Sequence, residues 1–528
     1  MSIVQRQAPP RPAGESRPAV FRPGSPRPAV GAGRSSRHAV VIGGGFGGIA
    51  AAARLRARGL GVTLVDRLDE LGGRARVFRR DGFTFDAGPT VITAPFLLDE
   101  LFQLFGERLA DHVDLRPVTP WYRVAWEDGA TFDYGGGPDQ MCEQIARFEP
   151  RDQDGYRRML EKAAEIYRIG FEQLGDHPFD RIADMARATP HMIRLGARRS
   201  MYQFVASHIR HPRLRQVFTF QPLLVGGNPF NTSCIYALIQ PLEQRFGVHY
   251  AMGGTGAIVG ALRGLLERHG VELSLGDGVA GIDTRRGVVE SVRRDSGERL
   301  PADLVVSNAD PVTLYTRMLP RSGPHFLTRQ RAKRMKLSMG LFVSYFGTKR
   351  QYPDLAHHTI LLSNRYKELL TDIFDRGVVP DDPSLYLHAP TRTDPSMAPP
   401  GHECMYVLAP VPNLRHVDDW DQRADGFEDL VHERLERVLA PGLRDELATS
   451  FHVTPKYFQT ELLSEAGAGF SVQPTLTQSA YFRFHNRCPH FRNLFLVGAG
   501  THPGAGIPGT LCTAKTMENA MLREGVVA

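Results

Sequence analysis

Residues 38–66 read His38-Ala-Val-Val-Ile42-Gly43-Gly-Gly45-Phe-Gly-Gly48-Ile-Ala-Ala-Ala-Ala53-Arg-Leu-Arg-Ala-Arg-Gly59-Leu-Gly61-Val-Thr-Leu-Val-Asp66. The opening run is apolar and rich in β-branched residues, and the closing one repeats that texture and ends on an acid. Between them an alanine- and leucine-rich stretch runs to Gly59. The pattern predicts strand, glycine turn, helix and strand, a βαβ unit complete in about 30 residues. Gly43, Gly45 and Gly48 form GxGxxG, which is weak alone and strong here, because it follows a strand, opens a helix and precedes Asp66 by 23 residues counted from Gly43. Glycines at those positions let backbone N–H groups approach a pyrophosphate, whose charge is favoured at a helix N-terminus. Asp66 is expected to accept from ribose hydroxyls.

Just beyond lies Asp69-Glu-Leu-Gly72-Gly73-Arg74-Ala75. A nicotinamide-binding unit does not call for this second glycine pair, which shifts the expected cofactor to FAD. Gly72 and Gly73 would offer backbone amides to the rest of the dinucleotide. Arg74 is a candidate for phosphate or ribose contact, with a surface salt bridge as the alternative.

The chain has 528 residues, enough for two or three domains at roughly 100–200 residues each. Its hydrophobic share of 42% lies in the ordinary globular range once glycine is counted, which excludes wholesale disorder. The sequence contains no uncharged apolar run of about 18 residues that would suggest a transmembrane helix, and mean hydropathy is −0.26. Net charge is +7, but residues 1–37 hold seven Arg and one Glu, a net of +6. The remainder is close to neutral, so a nucleic-acid partner is not expected. That leader also holds seven Pro and reads as disordered, without the apolar segment of a secretory signal. The five cysteines (Cys142, Cys234, Cys404, Cys488, Cys512) are widely separated with no CxxC pair, which signals neither a disulfide framework nor a metal site and fits a reducing cytoplasm.

From about 150 to 245 the texture becomes helical, with Met159, Leu160, Ala163, Ala164, Ile166 and Tyr167 on one stripe and Met192, Ile193, Leu195, Met201, Phe204 and Val205 on another. Between 253 and 310 an α/β pattern returns, and alternating runs at 337–350 and 384–412 predict antiparallel strands. The chain closes on Leu494-Phe-Leu-Val497-Gly498-Ala-Gly500, again strand into glycine loop, with a helix after it.

These residues together resemble the bacterial carotenoid/phytoene desaturase family over nearly the whole chain. The resemblance rests on both glycine motifs, Gly82-Phe-Thr-Phe-Asp-Ala-Gly-Pro-Thr-Val-Ile-Thr93, Leu223-Leu-Val-Gly-Gly-Asn-Pro-Phe230, Leu355-Ala-His-His-Thr359, Leu385-Tyr-Leu-His-Ala-Pro390 and Asn493 through Gly509. Two departures are Asp66 where the family often has Glu, and Phe484 where a Pro is familiar.

The resemblance implies an α/β fold related to the amine oxidases: a discontinuous Rossmann-type FAD-binding domain (38–110, 245–312 and 490–528), a mixed α+β substrate domain (111–150 and 313–489) and a helical, membrane-facing subdomain (151–244). It implies FAD-dependent desaturation of phytoene and partly desaturated carotenoids toward lycopene or neurosporene, with quinone or oxygen as electron acceptor and peripheral attachment to a membrane lipid surface. Val279 would meet the adenine through its backbone, and Gly498, Gly500, Gly506 and Ile507 belong to a loop closing over the flavin. Catalytic candidates are Asp184 with Arg187, equally readable as a helix-surface ion pair, and His502, equally readable as shaping its loop. The helical segment with Arg198, Arg199, Arg210, Arg213 and Arg215 is the candidate docking surface, with core packing as the alternative. A later-pathway carotenoid desaturase or saturase, and a non-catalytic isoprenoid carrier, remain the rival functions.

Overall fold

A computed structural model describes residues 37–527. The leader expected to be disordered lies outside the described residues, Arg37 excepted.

Five strands build a parallel sheet: β1 (His38–Ile42), β2 (Gly61–Val65), β3 (Glu272–Ser274), β4 (Leu304–Ser307) and β5 (Leu494–Leu496), in the order β5-β4-β1-β2-β3. Three distant stretches of chain therefore meet in one sheet. β4 is buried along its length, and β1 and β2 past their first residue, as expected of parallel strands covered on both faces. Helix Phe46–Ala57 packs against the C-terminal helix Ile507–Arg523. Ala50 to Ala53 are fully buried, and their small side chains let helix and neighbours close up. Arg54 lies in the same packed layer and is paired with Glu518 at 2.8 Å and Glu100 at 2.7 Å.

Between β2 and β3, and again between β4 and β5, the chain leaves this lobe. The excursions supply a seven-stranded sheet in the order Leu447–Val453, Gly340–Thr348, Glu403–Val411, Leu385–His388, His358–Leu361, Tyr122–Ala125, Thr131–Tyr134. It is antiparallel except where His358–Leu361 runs parallel to Tyr122–Ala125. Gly340–Thr348 is buried throughout.

The helical stretch holds helices Asp152–Tyr167, Ile182–Arg194, Met201–Ala206, Pro212–Val217 and Ile239–Phe246. Most of the predicted stripes are core: Met159, Ala163, Ile166, Met201, Phe204 and Val205 are buried together. Ala164 and Ile193 depart from that pattern and face outward, Ile193 at 71% exposure.

Candidate active site

Gly43 follows β1 with φ +96° and donates its N–H to the Val65 carbonyl at 2.8 Å, which seats the turn between β1 and β2. Gly48 must be glycine for a different reason. A Cβ there would stand 1.9 Å from the Gly43 carbonyl oxygen, so the helix can start this close to the strand only without a side chain. The N-terminus of helix Phe46–Ala57 consequently opens toward a cavity lined by Gly43, Gly45 and Gly47.

Asp66, buried at the end of β2, accepts from the Gly44 N–H at 2.5 Å through one oxygen and from the Leu68 N–H at 2.8 Å through the other. Each carboxylate oxygen keeps a further acceptor site, and the group lines the cavity. Burial pushes its pKa up against these backbone donors. The second glycine pair is bonded directly to the first loop, Gly72 N–H to Gly44 carbonyl at 2.8 Å. Arg74 donates to Ser464 Oγ at 2.8 Å, while its Nε has no partner among the described residues.

The same cavity, about 820 Å³, reaches Val279, Asn308, Gly500, Gly506 and Ile507. Gly506 precedes the first residue of the C-terminal helix, so a second helix N-terminus faces the space. Two positive helix ends, an unpartnered guanidinium nitrogen and an acid with spare acceptors are the donor set an anionic dinucleotide needs, and these residues fit FAD. Gly48 and Gly498 stand behind the wall rather than on it. A Cβ on Gly498 would lie 2.4 Å from Asn308 Oδ1. Asn308, whose Nδ2 donates to the Gly43 carbonyl at 3.2 Å, is a site residue that sequence reasoning passed over.

Beyond the loops the cavity becomes apolar, walled by Leu224, Leu238, Leu242, Ile360, Leu362 and Leu408. One acid interrupts this wall. Glu243 is fully buried and accepts from Tyr122 OH and Tyr134 OH, each at 3.0 Å. Burial raises its pKa to about 8, against the two hydroxyl donors. No motif marks Glu243 in the sequence.

The three catalytic candidates do not line the cavity. Asp184 is buried and turned toward the C-terminal helix, 3.2 Å from Arg523 Nη1. Arg187 lies 3.7 Å from Asp184 with its side chain 77% exposed. The helix they share presents Met185, Thr189 and Met192 to the cavity instead. His502 is buried and packs edge-on against Phe179. Burial, with Arg483 and two histidines nearby, lowers its pKa to about 3. The loop shows Pro503 and Gly504, not His502, to the cavity.

Five residues line the cavity and are also exposed: Ile193 at 71%, Phe482 at 45%, Leu476 at 41%, Leu463 at 38% and Arg198; Ile193, Arg198, Leu476 and Phe482 mark its mouth. Of the other arginines expected on a docking surface, Arg199 and Arg210 are exposed. Arg213 and Arg215 turn back onto the protein, Arg213 to Asp128 and over Trp126, Arg215 to the Ile209 carbonyl. Among the described residues no helix is long and apolar enough to cross a membrane.

Residues 46–517 match the family described as flavin containing amine oxidoreductase. The chain is 46% identical over 489 residues to the lycopene-forming phytoene desaturase of Pseudescherichia vulneris, covering 92% of this chain and 99% of that one. It is 41% identical over 495 residues to the neurosporene-forming phytoene desaturase of Cereibacter sphaeroides, covering 93% and 95%. Among solved structures it is similar to an oxidoreductase from Methanosarcina mazei, with TM-score 0.63, 16% identity and coverage of 91% and 100%.

Proposed function

This chain belongs to the flavin-containing amine oxidoreductases and is an FAD-dependent oxidoreductase; from that premise we propose that it desaturates phytoene in carotenoid biosynthesis, by successive hydride removal toward lycopene or neurosporene. One observation carries the reading: a single cavity joins the dinucleotide cradle to an apolar compartment with a mouth at the surface. A substrate made only of carbon and hydrogen offers no hydrogen bonds, so apolar walls are the means by which it can be held. The complete cradle at Gly43, Gly45, Asp66 and Arg74 speaks against a carrier that turns nothing over.

An allylic C–H in a hydrocarbon has no neighbouring carbonyl to acidify it, so departure of hydride precedes loss of the proton. When bound, FAD supplies the two-electron acceptor for that hydride. The protein holds the chain in register and keeps water from the cation left on carbon. Glu243, as carboxylate, takes the proton from the adjacent carbon. Each round thus removes one hydride and one proton and leaves one carbon–carbon double bond. Tyr122 and Tyr134 orient the carboxylate through their hydroxyls. Its raised pKa near 8 puts it in the range where a base both exists in its ionised form and holds a proton well. Asp184 acts as a positioning residue for the 182–194 helix and His502 for the carboxy-terminal loop, while Arg187 is the exposed partner of Asp184.

Phytoene resides in bilayers, because burial is worth about 0.8 kcal/mol per CH₂, and pickup there requires the mouth to meet lipid. Ile193, Leu476 and Phe482 supply apolar contact, with Arg198 and Arg199 nearby for anionic headgroups. This is a peripheral attachment at the cytoplasmic face, with quinone or oxygen reoxidising the flavin.

The test is incubation of the purified protein with phytoene-loaded liposomes and FAD, under quinone or air, with products separated by chromatography. Lycopene or neurosporene is expected. Bound flavin with no product from phytoene, but turnover of an already unsaturated carotenoid, would overturn phytoene as the substrate.

A further inference from the structure

The seven-stranded sheet contains a second concentration of chemistry that the desaturation reading leaves unused. His358 opens one strand and His388 ends the neighbouring antiparallel strand, where the two are directly paired. Their rings stack with centroids 5.2 Å apart, and His357 stands edge-on to both, at 4.5 and 4.9 Å. One ring nitrogen of each histidine lies within 4.8 Å of those of the other two. All three side chains are buried, His357 being the most accessible at 4%.

The hydrogen bonding around them is incomplete in a particular way. His357 Nδ1 is engaged by Thr393 Oγ1 at 2.7 Å and His358 Nδ1 by the Tyr386 hydroxyl at 2.8 Å. The Nε2 atoms of His357, His358 and His388 have no partner among the described residues, and neither has Asp86 Oδ2, which lies 3.7 Å from His388 Nε2. Buried polar atoms are almost always paired. His388 and His358 approach each other through Nδ1 at 3.4 Å, and the unpaired His388 Nε2 beside the unpaired Asp86 oxygen, with one nitrogen of each histidine within 4.8 Å of the others, forms the complementary surroundings of a cation.

We propose that His357, His358 and His388, with Asp86 as neighbouring carboxylate, bind one divalent first-row metal ion, zinc by the nitrogen-and-oxygen donor set.

The position gives the ion a structural task. Asp86 Oδ1 accepts from the Thr255 N–H at 2.7 Å and so caps helix Thr255–Arg268 of the dinucleotide lobe. His358 holds Tyr386, which lines the substrate cavity. A metal here would fasten the substrate sheet to the dinucleotide lobe and fix one wall of the cavity. The inference stands or falls independently of which carotenoid is turned over.

Metal analysis of the flavin-loaded protein, purified without chelator or affinity metal from zinc-supplemented cells, is expected to give about one zinc per chain, and protein from cobalt-supplemented cells the visible bands of low-symmetry cobalt(II). His388→Gln should lose the metal and the bands while retaining flavin absorbance. If that variant does not fold, His357→Asn, at the more accessible corner, provides the same reading. X-ray absorption at the metal edge of the unaltered protein should show imidazole scattering. Absence of stoichiometric metal and of cobalt bands, full metal content in both variants, or sulfur ligation would each overturn the proposal.

Discussion

Asn308 Nδ2 donates to the Gly43 carbonyl at 3.2 Å, tying the end of β4 to the first glycine after β1. The same side chain stands where a Cβ on Gly498 would come to 2.4 Å of its Oδ1. One amide thus gauges the separation of three loops that arrive from residues 43, 308 and 498. Asn308→Leu should keep the volume and lose the bond, costing about 1–2 kcal/mol and lowering flavin content in the purified protein by more than about half. Gly498→Ala should lower flavin content as well, by forcing Asn308 aside. Visible absorbance relative to protein, with thermal melts alongside, reads both.

Asp184 and Arg523 join the 182–194 helix to the C-terminal helix across 3.2 Å. Arg523 also pairs with Asp180, and its side chain is 23% exposed, so loss of the Asp184 charge is partly compensated by a second acid and by solvent. Asp184→Asn is expected to cost about 1–2 kcal/mol in stability, less than the removal of a fully enclosed ion-pair partner. Turnover per flavin-bound chain should change by less than about threefold, since the carboxyl does not line the cavity. Arg187→Ala, an exposed end of a 3.7 Å pair, should alter neither quantity measurably. A drop of about a hundredfold or more in turnover at unchanged flavin content would return either residue to the reacting groups.

The dinucleotide half of the site was legible because its requirements are written in backbone geometry. Gly43 needs its left-handed φ and Gly48 needs the absence of a side chain, and glycine is the residue type that provides both, so their spacing in a strand–turn–helix context locates them. Asn308 and Glu243 carry no such mark. Each matters through what the topology brings to it, loops from two other segments for Asn308 and, for Glu243 on its helix, two tyrosines from neighbouring strands. His357 and His358 are adjacent but His388 lies 30 residues on, a spacing that matches no metal-ligand motif, and the three meet only because His358 and His388 fall in register on neighbouring strands. In the helical region periodicity identified core positions such as Met159 and Phe204, but it could not separate them from Ile193, which shares their spacing and lies at the cavity mouth. The catalytic candidates were placed by spacing that does not tell which helix face meets the cavity. Residues 184 and 187 are on the right helix, on the face away from the cavity.

Ile193 and Phe482 combine high exposure with a place on the cavity wall. Replacing both by Ser removes two large apolar contacts, each worth roughly 1.5–3 kcal/mol when fully buried; partial insertion should leave a loss of about tenfold in vesicle affinity. Co-sedimentation with vesicles containing anionic lipid measures that loss. Turnover of phytoene delivered in detergent should fall less than turnover from vesicles. Equal losses in both formats would place these residues in substrate contact rather than at a lipid surface.

Glu243 offers a pH signature with a definite sign. Its carboxyl titrates at about 8 in the folded protein against the ordinary 4.5, chiefly because burial penalises the charge. Below 4.5 both folded and unfolded chains carry the proton, and the group has no net effect. Between 4.5 and about 8 the unfolded chain releases the proton while the folded one retains it, so stability falls as pH rises, by about 1.4 kcal/mol per pH unit for this group. Above about 8 both forms are ionised and the penalty is constant. Glu243→Gln preserves shape and removes the titration. The variant should match the parent near pH 4.5, gain on it steadily to about pH 8 and hold a constant advantage beyond, a difference in which other titrating groups cancel. Denaturant melts across that range measure it. Activity should move oppositely: the parent's turnover should climb with pH to a plateau above about 8, as the carboxylate becomes available, and the glutamine variant should lose about a hundredfold or more with no such climb. A stability difference with the predicted pH course but unchanged turnover would leave Glu243 buried and protonated without a part in the reaction.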